Sequence, residues 1–529
     1  MKSSRALFQK LESQFSCYSD VADFLASAQK PHFKGLRVNT LKIDPERFMK
    51  FHLAAAPTPF CKEGFYIPSE EKLGNHPLHH AGAFYLQEPS AMSAVTALDP
   101  RPGDRVLDLC AAPGGKSTQI AARLSGEGFL LSNEIVKSRA NILLSNIERM
   151  GVSNAAVTNC HPDVIAEACF EAFDKVLVDA PCSGEGMIRK DSTILENWSE
   201  ENVAACALRQ QKILNSAARC LKPGGVLVYS TCTFSKEEDE DVIEQFLKEH
   251  SEFSLEPITE RFGRPAIGLP SARRILWTDG GEGHFVARLR KSSDDSKTAI
   301  SHAFAPSLPN ILESPLPDGL WKADGEFTVA NTQNHPQTQS YRQTQNYRQA
   351  QIHSKAQIHA KAKNHSRSAN WENGRRKKDG NARCAAGDGL TERDILELFS
   401  EFSGKNQITL PKGSGALKAV GERLYLLPDF ELPPEIPVIR CGVLLGNAKK
   451  GRFEPSHAMY ACPAIKTERE ISLSFNDPRC GAFLHGEEIA ADVENGYCRV
   501  LIEGVACGFG KVSGGRLKNG YPKGLRTLK

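Results

Sequence analysis

The chain has 529 residues, 40% hydrophobic and 24% charged, a balance that implies several globular domains and excludes fibrous, collagen-like or wholly unfolded chains. Fifteen cysteines with no C-x-x-C pair point to reduced thiols rather than disulfides or a structural metal site, and with no apolar run of bilayer length a cytoplasmic protein without membrane contact is expected. The net charge of +3 is unevenly spread: residues 331–378 carry ten Lys/Arg against Glu372 alone, residues 511–529 carry six and no acid, and such basic elements suggest a nucleic-acid partner.

In chain order, β-rich runs alternate with amphipathic ones. Arg105-Val106-Leu107-Asp108-Leu109, Gly128 to Asn133, Lys175-Val176-Leu177-Val178-Asp179 and Gly225 to Ser230 read as buried strands. Lys137 to Met150 and Asn202 to Leu221 read as helices, the second closed by Lys222-Pro223-Gly224-Gly225 as a helix stop and turn. This alternation predicts an α/β fold with a doubly wound, mostly parallel sheet, whose ligands lie at the carboxyl ends of the strands. From about residue 292 the patterning dissolves, and 331–380 is dominated by Gln, Asn, His, Ser and basic residues, with a loose six-residue repeat from Ser340 to Lys363. Too few apolar groups are present to offset ordering entropy, so a disordered tether is expected. Residues 389–529 are rich in Gly, Pro and short β runs such as Arg499-Val500-Leu501-Ile502, with one early helix, Glu392 to Phe402. They read as a small α+β or β-barrel module.

The chemistry is expected just after the strands. Cys110-Ala111-Ala112-Pro113-Gly114-Gly115-Lys116 follows the first strand and opens a helix, and a turn of small residues lets backbone approach a polar or anionic ligand at a helix N-terminus. A P-loop needs Gly at position 110, which is Cys, so a nucleoside-triphosphatase reading fails; no G-x-G-x-x-G turn is present, so a dehydrogenase reading is weak. The second strand ends at Asn133-Glu134, where an acid can accept both hydroxyls of a ribose. An adenosine-containing cofactor without a pyrophosphate fits both observations. Cys182, in Asp179-Ala180-Pro181-Cys182-Ser183-Gly184, and Cys232, in Ser230-Thr231-Cys232-Thr233, each follow a strand directly. In a doubly wound sheet both turns face one crevice, bringing two thiols and an aspartate together. A single buried Cys is usually packing; two in this placement point to chemistry.

These motifs, in this order and spacing, resemble the signature of the RNA cytosine-C5 methyltransferases that use S-adenosylmethionine. Arg37-Val38-Asn39-Thr40, the segment Gly82 to Met92 around Gln87-Glu88-Pro89-Ser90, and Gly281-Glu282-Gly283-His284-Phe285 extend the resemblance. Arg452-Phe453-Glu454-Pro455-Ser456-His457, and Gly510-Lys511 with Lys518 to Arg526, are similar to one branch, the F type of the small-subunit ribosomal RNA methyltransferases. The resemblance implies an N-terminal RNA-binding region at 1–95 and a Rossmann-like class I methyltransferase core at 96–291. It further implies a first C-terminal module at 389–462 and a PUA-like RNA-binding domain at 463–529, with the basic linker spanning 292–388. S-adenosylmethionine would be held by Cys110, Ala111, Ala112, Pro113, Gly114, Gly115 and Lys116 together with Glu134 and Asp179.

The implied reaction forms 5-methylcytosine in 16S ribosomal RNA or the small ribosomal subunit, carried out by a monomer without a metal. Cytosine C5 is too weak a nucleophile to take a methyl group from a sulfonium directly, so a thiolate must first add to C6. The resemblance makes Cys232 that nucleophile and Cys182 the group that assists release, whereas DNA enzymes assign attack to the Pro-Cys thiol. Asp179, protonated or sharing a proton with the base, would serve N3. Arg37, Asn39, Lys190, Lys518, Lys523 and Arg526 are expected to contact RNA, with Arg189 beside Lys190 reaching the flanking backbone. The acid the family usually carries after the third strand is open here: Asn159-Cys160-His161-Pro162-Asp163 offers His161 or Asp163. Alternatives are a tRNA cytosine as target, a catalytically silent ribosome-assembly factor, and an amino-group methyltransferase. Against the last stands Asp179-Ala180-Pro181-Cys182, where an Asn/Asp-Pro-Pro-aromatic turn would be favoured.

Overall fold

Five parallel strands form the centre of the computed structural model: β1 (Arg105–Asp108), β2 (Phe129–Asn133), β3 (Ala155–Thr158), β4 (Phe173–Asp179) and β5 (Leu221–Thr231). They are wound by α1 (Gly115–Leu124), α2 (Lys137–Met150), α3 (Pro162–Ala168), α4 (Glu200–Cys220) and α5 (Glu240–Glu249). After α5 come the short β6 (Phe253–Glu256), β7 (Arg264–Pro265) and β8 (Arg273–Ile275), then β9 (His284–Lys291), which runs antiparallel to β5. The described residues are 2–68, 70–293, 390–411 and 415–527, so nearly all of the expected linker lies outside them.

The strand order is β7-β8-β9-β5-β4-β1-β2-β3-β10, with β6 on β9 and β10 (Val438–Cys441) supplied from far along the chain. This is the doubly wound α/β sheet that the alternation of elements predicts. Its strand order reverses between β1 and β4, and the turns leaving those two strands diverge there into a crevice. Alternate residues feed the two faces. Leu107, Leu131, Val176 and Leu227 pack with Ile165, Leu214 and Ile243 from α3, α4 and α5. Val106, Leu130, Leu177 and Val228 pack with Ile120 and Leu143 from α1 and α2. Each such buried aliphatic side chain contributes about 1.5–3 kcal/mol, and burial on both faces explains why these strands read as continuous apolar runs.

Local signals set the helix ends. Gly151, at φ +76°, closes α2, where its own N–H bonds Glu148 O and the Val152 N–H bonds Ile147 O. His161 caps α3 ahead of Pro162, its Nδ1 accepting from the Asp163 N–H. Ser199 caps α4 by accepting from the Asn202 N–H. Lys222-Pro223-Gly224-Gly225 does follow the helix stop, α4 ending at Cys220, and it bulges within β5: Leu221 pairs with Phe173 and Val226 with Lys175, the residues between lying out of register with Gly224 at φ +76°, a place where proline's missing N–H costs little.

The flanking regions are built into the rest of the molecule. Helices Lys2–Gln14 and Val21–Ala26 precede a four-stranded antiparallel sheet ordered Ala56–Pro57, Gly64–Tyr66, Gly35–Val38, Phe84–Leu86. At the other end, a four-stranded sheet (Leu417–Val420, Arg423–Leu426, Val443–Lys449, Arg452–Pro455) is followed by a five-stranded one between edge strands Glu470–Leu473 and Ile489–Ala490. The N-terminal sheet and the last module share one core: Leu36, Phe48 and Phe84 pack with Ile471, Phe483 and Val500. Lys42 Nζ ties three parts together, donating to the carbonyls of Ala81, Arg149 and Ala506 at 2.8–2.9 Å. β10 pairs antiparallel with β3, and just before it Phe430 stacks on Phe129 with ring centroids 4.2 Å apart. Among the described residues no helix is long and apolar enough to cross a membrane, and no group of three or more His, Cys, Asp or Glu could hold a metal ion.

Candidate active site

The turn leaving β1 is fixed from three sides. The Ala111 N–H bonds Asn133 O at 2.8 Å, Arg139 donates to Ala112 O, and Asn146 donates to Pro113 O. Gly114 stands at φ +112° as the residue before α1, a left-handed conformation open to glycine, and a Cβ there would lie 3.2 Å from Leu143 Cδ1. Cys110 to Gly115 therefore form a rigid, small-residue cradle at a helix N-terminus. Burial, then the carboxylates of Glu134, Asp108 and Asp179, hold the Cys110 thiol well above its ordinary range. It is a neutral wall of the site.

Two acids border this cradle. Glu134, at the end of β2, is 3% exposed. One of its oxygens accepts from the Val136 N–H at 2.8 Å and the other lies 3.2 Å from Arg139. Asp108, at the end of β1, is fully buried; Oδ2 accepts from Ser117 Oγ at 2.6 Å, while Oδ1 has no partner. Burial pushes its pKa up to about 7, against the Ser117 hydrogen bond. An unpartnered buried acceptor is costly, and here it stands beside a cradle that only small residues line. The donor set fits S-adenosylmethionine: a carboxylate for the ribose, a second for a cationic end, and backbone where the chain must come close. Asp108 and Arg139 were missed in the sequence; Arg139, five residues beyond Glu134, was the legible signal.

The second half of the crevice is made by the turns after β4 and β5. Cys182 Sγ and Cys232 Sγ lie 3.3 Å apart, both partly buried, and the Gly186 N–H bonds Cys232 O at 2.9 Å to hold the two turns in register. Ser183 Oγ and Thr233 Oγ1 meet at 2.6 Å beneath them. Lys116 reaches across from α1 to place Nζ 2.8 Å from Asp179 Oδ2. Ser230 Oγ donates to Asp179 Oδ1 at 2.9 Å.

This ion pair corrects one expectation. Burial works against charge on both partners, but Lys116 first, then the Ser230 hydroxyl, hold Asp179 below the usual carboxylate range. Asp179 in turn holds Lys116 above the usual ammonium range, with lesser help from Cys232 and Asp108. Asp179 is thus a carboxylate, so of the two ways expected for it to serve N3 the protonated acid is set aside and the proton shared with the base is left; the proton of the pair resides on Lys116, expected only to hold the cofactor. His284 is neutral as well, its pKa pushed down to about 3 by burial and then by Lys116. Its Nδ1 lies 3.1 Å from Gly283 O, which can only accept, so Nε2 carries the lone pair, 3.9 Å from Asp179 Oδ1.

The expected RNA contacts divide. Lys190, Lys518 and Lys523 are exposed. Arg526 is half-buried, its guanidinium donating to Tyr521 O. Arg37 and Asn39 are corrected: they are 1% and 0% exposed and so present no surface to RNA. Arg37 donates to Gly115 O, Thr118 Oγ1 and Gln87, bracing the first turn of α1 from below. Asn39 donates to Gly82 O and Met150 O. Arg189 is neither an RNA contact nor a solvated charge. Its side chain is 1% exposed, paired with the fully buried Glu282 and lying over Phe33 and Trp277. After β3, His161 is spent on its capping bond and Asp163 accepts from Ser216 Oγ.

The reversed parallel sheet, the glycine-cradled turn into α1 and the acid closing β2 define a Rossmann-like methyltransferase. The same fold occurs in the crystal structure of PH0851, 30% identical, covering 54% of this chain and 65% of that one at a TM-score of 0.51. It also occurs in NSun6 from Pyrococcus horikoshii with SFG, 23% identical, covering 54% and 98% at 0.50. The profile of the 16S rRNA methyltransferase RsmB/F family matches residues 95–290. Profiles for the RsmF N-terminal domain, first C-terminal domain and PUA domain match 6–89, 401–461 and 470–527. The ribosomal RNA small subunit methyltransferase F of Vibrio campbellii is 31% identical over 98% of this chain and 97% of its own length. Its namesake in Escherichia coli O9:H4 is 43% identical, the match spanning 51% of this chain and 59% of that protein. The chain belongs to the ribosomal RNA small subunit methyltransferase F family.

Proposed function

We propose that this protein forms 5-methylcytosine in 16S ribosomal RNA, with S-adenosylmethionine as methyl donor and a covalent bond between Cys232 and C6 of a flipped cytosine. The observation that carries the reading is the pair of thiols 3.3 Å apart at the ends of adjacent parallel strands, beside the Lys116–Asp179 ion pair. A methyltransferase acting on an amino or hydroxyl group has no use for two facing thiols. The names of the relatives supply the substrate class, and the exposed Lys518 and Lys523 on the PUA-like end suit a phosphate backbone.

S-adenosylmethionine, when bound, supplies an electrophilic methyl group. Cys232 Sγ adds to C6, forming a C–S bond and moving the C5–C6 π electrons towards C5 and the N3 side of the ring. Lys116 is the donor that meets the charge developing at N3, and Asp179, held as a carboxylate, accepts from the exocyclic amine. C5 then takes the methyl group as the donor's sulfur–methyl bond breaks and the sulfonium leaves as a neutral thioether. Loss of the C5 proton to solvent water expels the Cys232 thiolate and restores the ring, with the Cys182 thiol donating to the departing sulfur to assist release. Bisulfite sequencing of ribosomal RNA from cells with and without the gene tests the reading. A cytosine protected only when the gene is present is expected; an unchanged map overturns it.

A further inference from the structure

A buried acid stands behind the Cys182 turn and takes no part in the steps above. Glu238, fully buried, ends the short turn Lys236–Glu238 that follows Cys232. Its Oε2 accepts from the Ser183 N–H at 3.0 Å and from Gln210 Nε2 at 2.8 Å. Gln210, fully buried on α4, also donates to Pro181 O at 3.2 Å. The peptides on both sides of Cys182 are thus gripped by one side-chain pair. Tyr229 Oη, from β5, donates to the Glu238 carbonyl at 2.6 Å and fixes the acid in turn. Glu238 Oε1 and Gln210 Oε1 remain buried without hydrogen-bond partners. An apolar pair of like volume would leave the Ser183 N–H and Pro181 O buried without partners, but a neutral amide at position 238 would satisfy them as well, so hydrogen bonding alone does not call for an acid here. The charges around the two sulfurs are also unequal: Lys116 stands on the Cys232 side, Glu238 on the Cys182 side.

We propose that Glu238, braced by Gln210, is the positioning residue that gives the two thiols their different roles, fixing the Cys182 turn over Cys232 and placing a carboxylate, not a cation, behind the Cys182 sulfur. The inference rests on Cys232 as nucleophile and Cys182 as its assistant. Negative charge behind Cys182 disfavours a second thiolate, so that sulfur remains a hydrogen-bond donor to Cys232. In accord, its hydrogen bond to Cys232, then burial, then charge including that of Glu238 hold the Cys182 thiol well above its ordinary range. Glu238 itself is pushed up to about 7 by burial, opposed by the Ser183 and Gln210 bonds and aided by Glu185. Asp239 from its own turn, Cys206 from α4 and Tyr229 from β5 are the other titratable groups coupled to it.

The test is alkylation of the full-length protein by iodoacetamide between about pH 6 and about pH 10, reading the Cys182 and Cys232 peptides separately by mass spectrometry, with kcat and KM measured in parallel. Glu238→Gln keeps the shape and removes the charge. Cys182 should then alkylate roughly tenfold faster at about pH 8, the equivalent of one pKa unit, while the change in alkylation at Cys232 is smaller and kcat falls with KM for RNA unchanged. Gln210→Leu keeps the charge and loosens the turn, so kcat should fall without the tenfold gain at Cys182. Glu238→Asp, a milder change, should shift Cys182 in the same direction by less. A Cys182 profile that is the same in wild type, Glu238→Gln and Glu238→Asp overturns the proposal. Because alkylation needs no methyl transfer, this outcome is distinct from a failure to find 5-methylcytosine.

Discussion

Lys116→Met removes the cation from the site while keeping nearly the same side-chain volume, and its cost can be worked from the geometry. At 2.8 Å from Asp179 and an effective dielectric of about 20, the direct attraction is about 6 kcal/mol. The Asp179 side chain is 30% exposed and Lys116 10%, so water compensates part of the loss, and the desolvation penalty of the ammonium disappears with it. A net destabilisation of about 3 kcal/mol is expected near pH 7.5. The figure should shrink in acid. In the wild type the folded pKa of Asp179 lies below its unfolded value of about 3.9, so the carboxylate's contribution is complete above that value and is lost as pH falls through the folded pKa. In Lys116→Met, burial without the cation raises the carboxyl above 3.9 (about the unfolded value), and the folded chain then holds a proton that the unfolded chain releases. The variant therefore gains stability relative to wild type as pH falls towards about 5. Urea unfolding of both proteins near pH 7.5 and near pH 5.5 measures the difference. A penalty below about 0.5 kcal/mol near neutrality, within the range of an exposed pair, or one that is equal at the two pH values, refutes the reasoning.

Cys232→Ala should form no covalent species with RNA, whereas Cys182→Ala should attack, stall and accumulate an adduct visible on a denaturing gel; the reverse pattern would move attack to the Pro-Cys thiol. Glu134→Ala should weaken S-adenosylmethionine binding about tenfold by calorimetry, the loss of charge-assisted hydrogen bonds to a ribose, and unchanged affinity would remove Glu134 from the site. Phe430→Ala, which deletes the ring stacked on Phe129 beneath Arg105, should lower stability by about 2 kcal/mol in denaturant; a change within error would show that β10 docks without it.

Much of the catalytic half was legible because its signals are local. The apolar runs of β1, β2, β4 and β5, and the small-residue turn after β1, announce themselves within a few residues. Cys182 and Cys232 are 50 positions apart, yet each follows a strand of one parallel sheet, and that rule alone brings them together. What escaped was set by distant partners. Arg37 and Arg189 look like RNA-seeking charges until the structure supplies Gly115, Thr118 and Glu282 as buried acceptors. The charge on Asp179 could not be read from its motif, because it is decided by Lys116, 63 residues earlier in the sequence and on another element. Val438–Cys441 offered no mark of its place, since a four-residue β run fits any sheet edge, and only the packing of Phe430 and the exposed edge of β3 select this one.

That edge strand makes the timing of the molecule's assembly peculiar. The residues proposed for the chemistry all lie before residue 291, but the sheet that carries them is closed on its β3 side by Val438–Cys441, about 280 positions beyond their partners in β3, and the N-terminal sheet shares its core with strands later still. During synthesis the thiol pair emerges long before the elements that finish its scaffold. A chain interrupted after β9 would carry every reacting group while exposing the backbone edge of β3 and the apolar face of Leu36, Phe48 and Phe84, surfaces that invite strand pairing and aggregation. The groups proposed for the chemistry are in this way carried by a scaffold that is finished last, and a chain truncated after β9 is expected to be prone to aggregation.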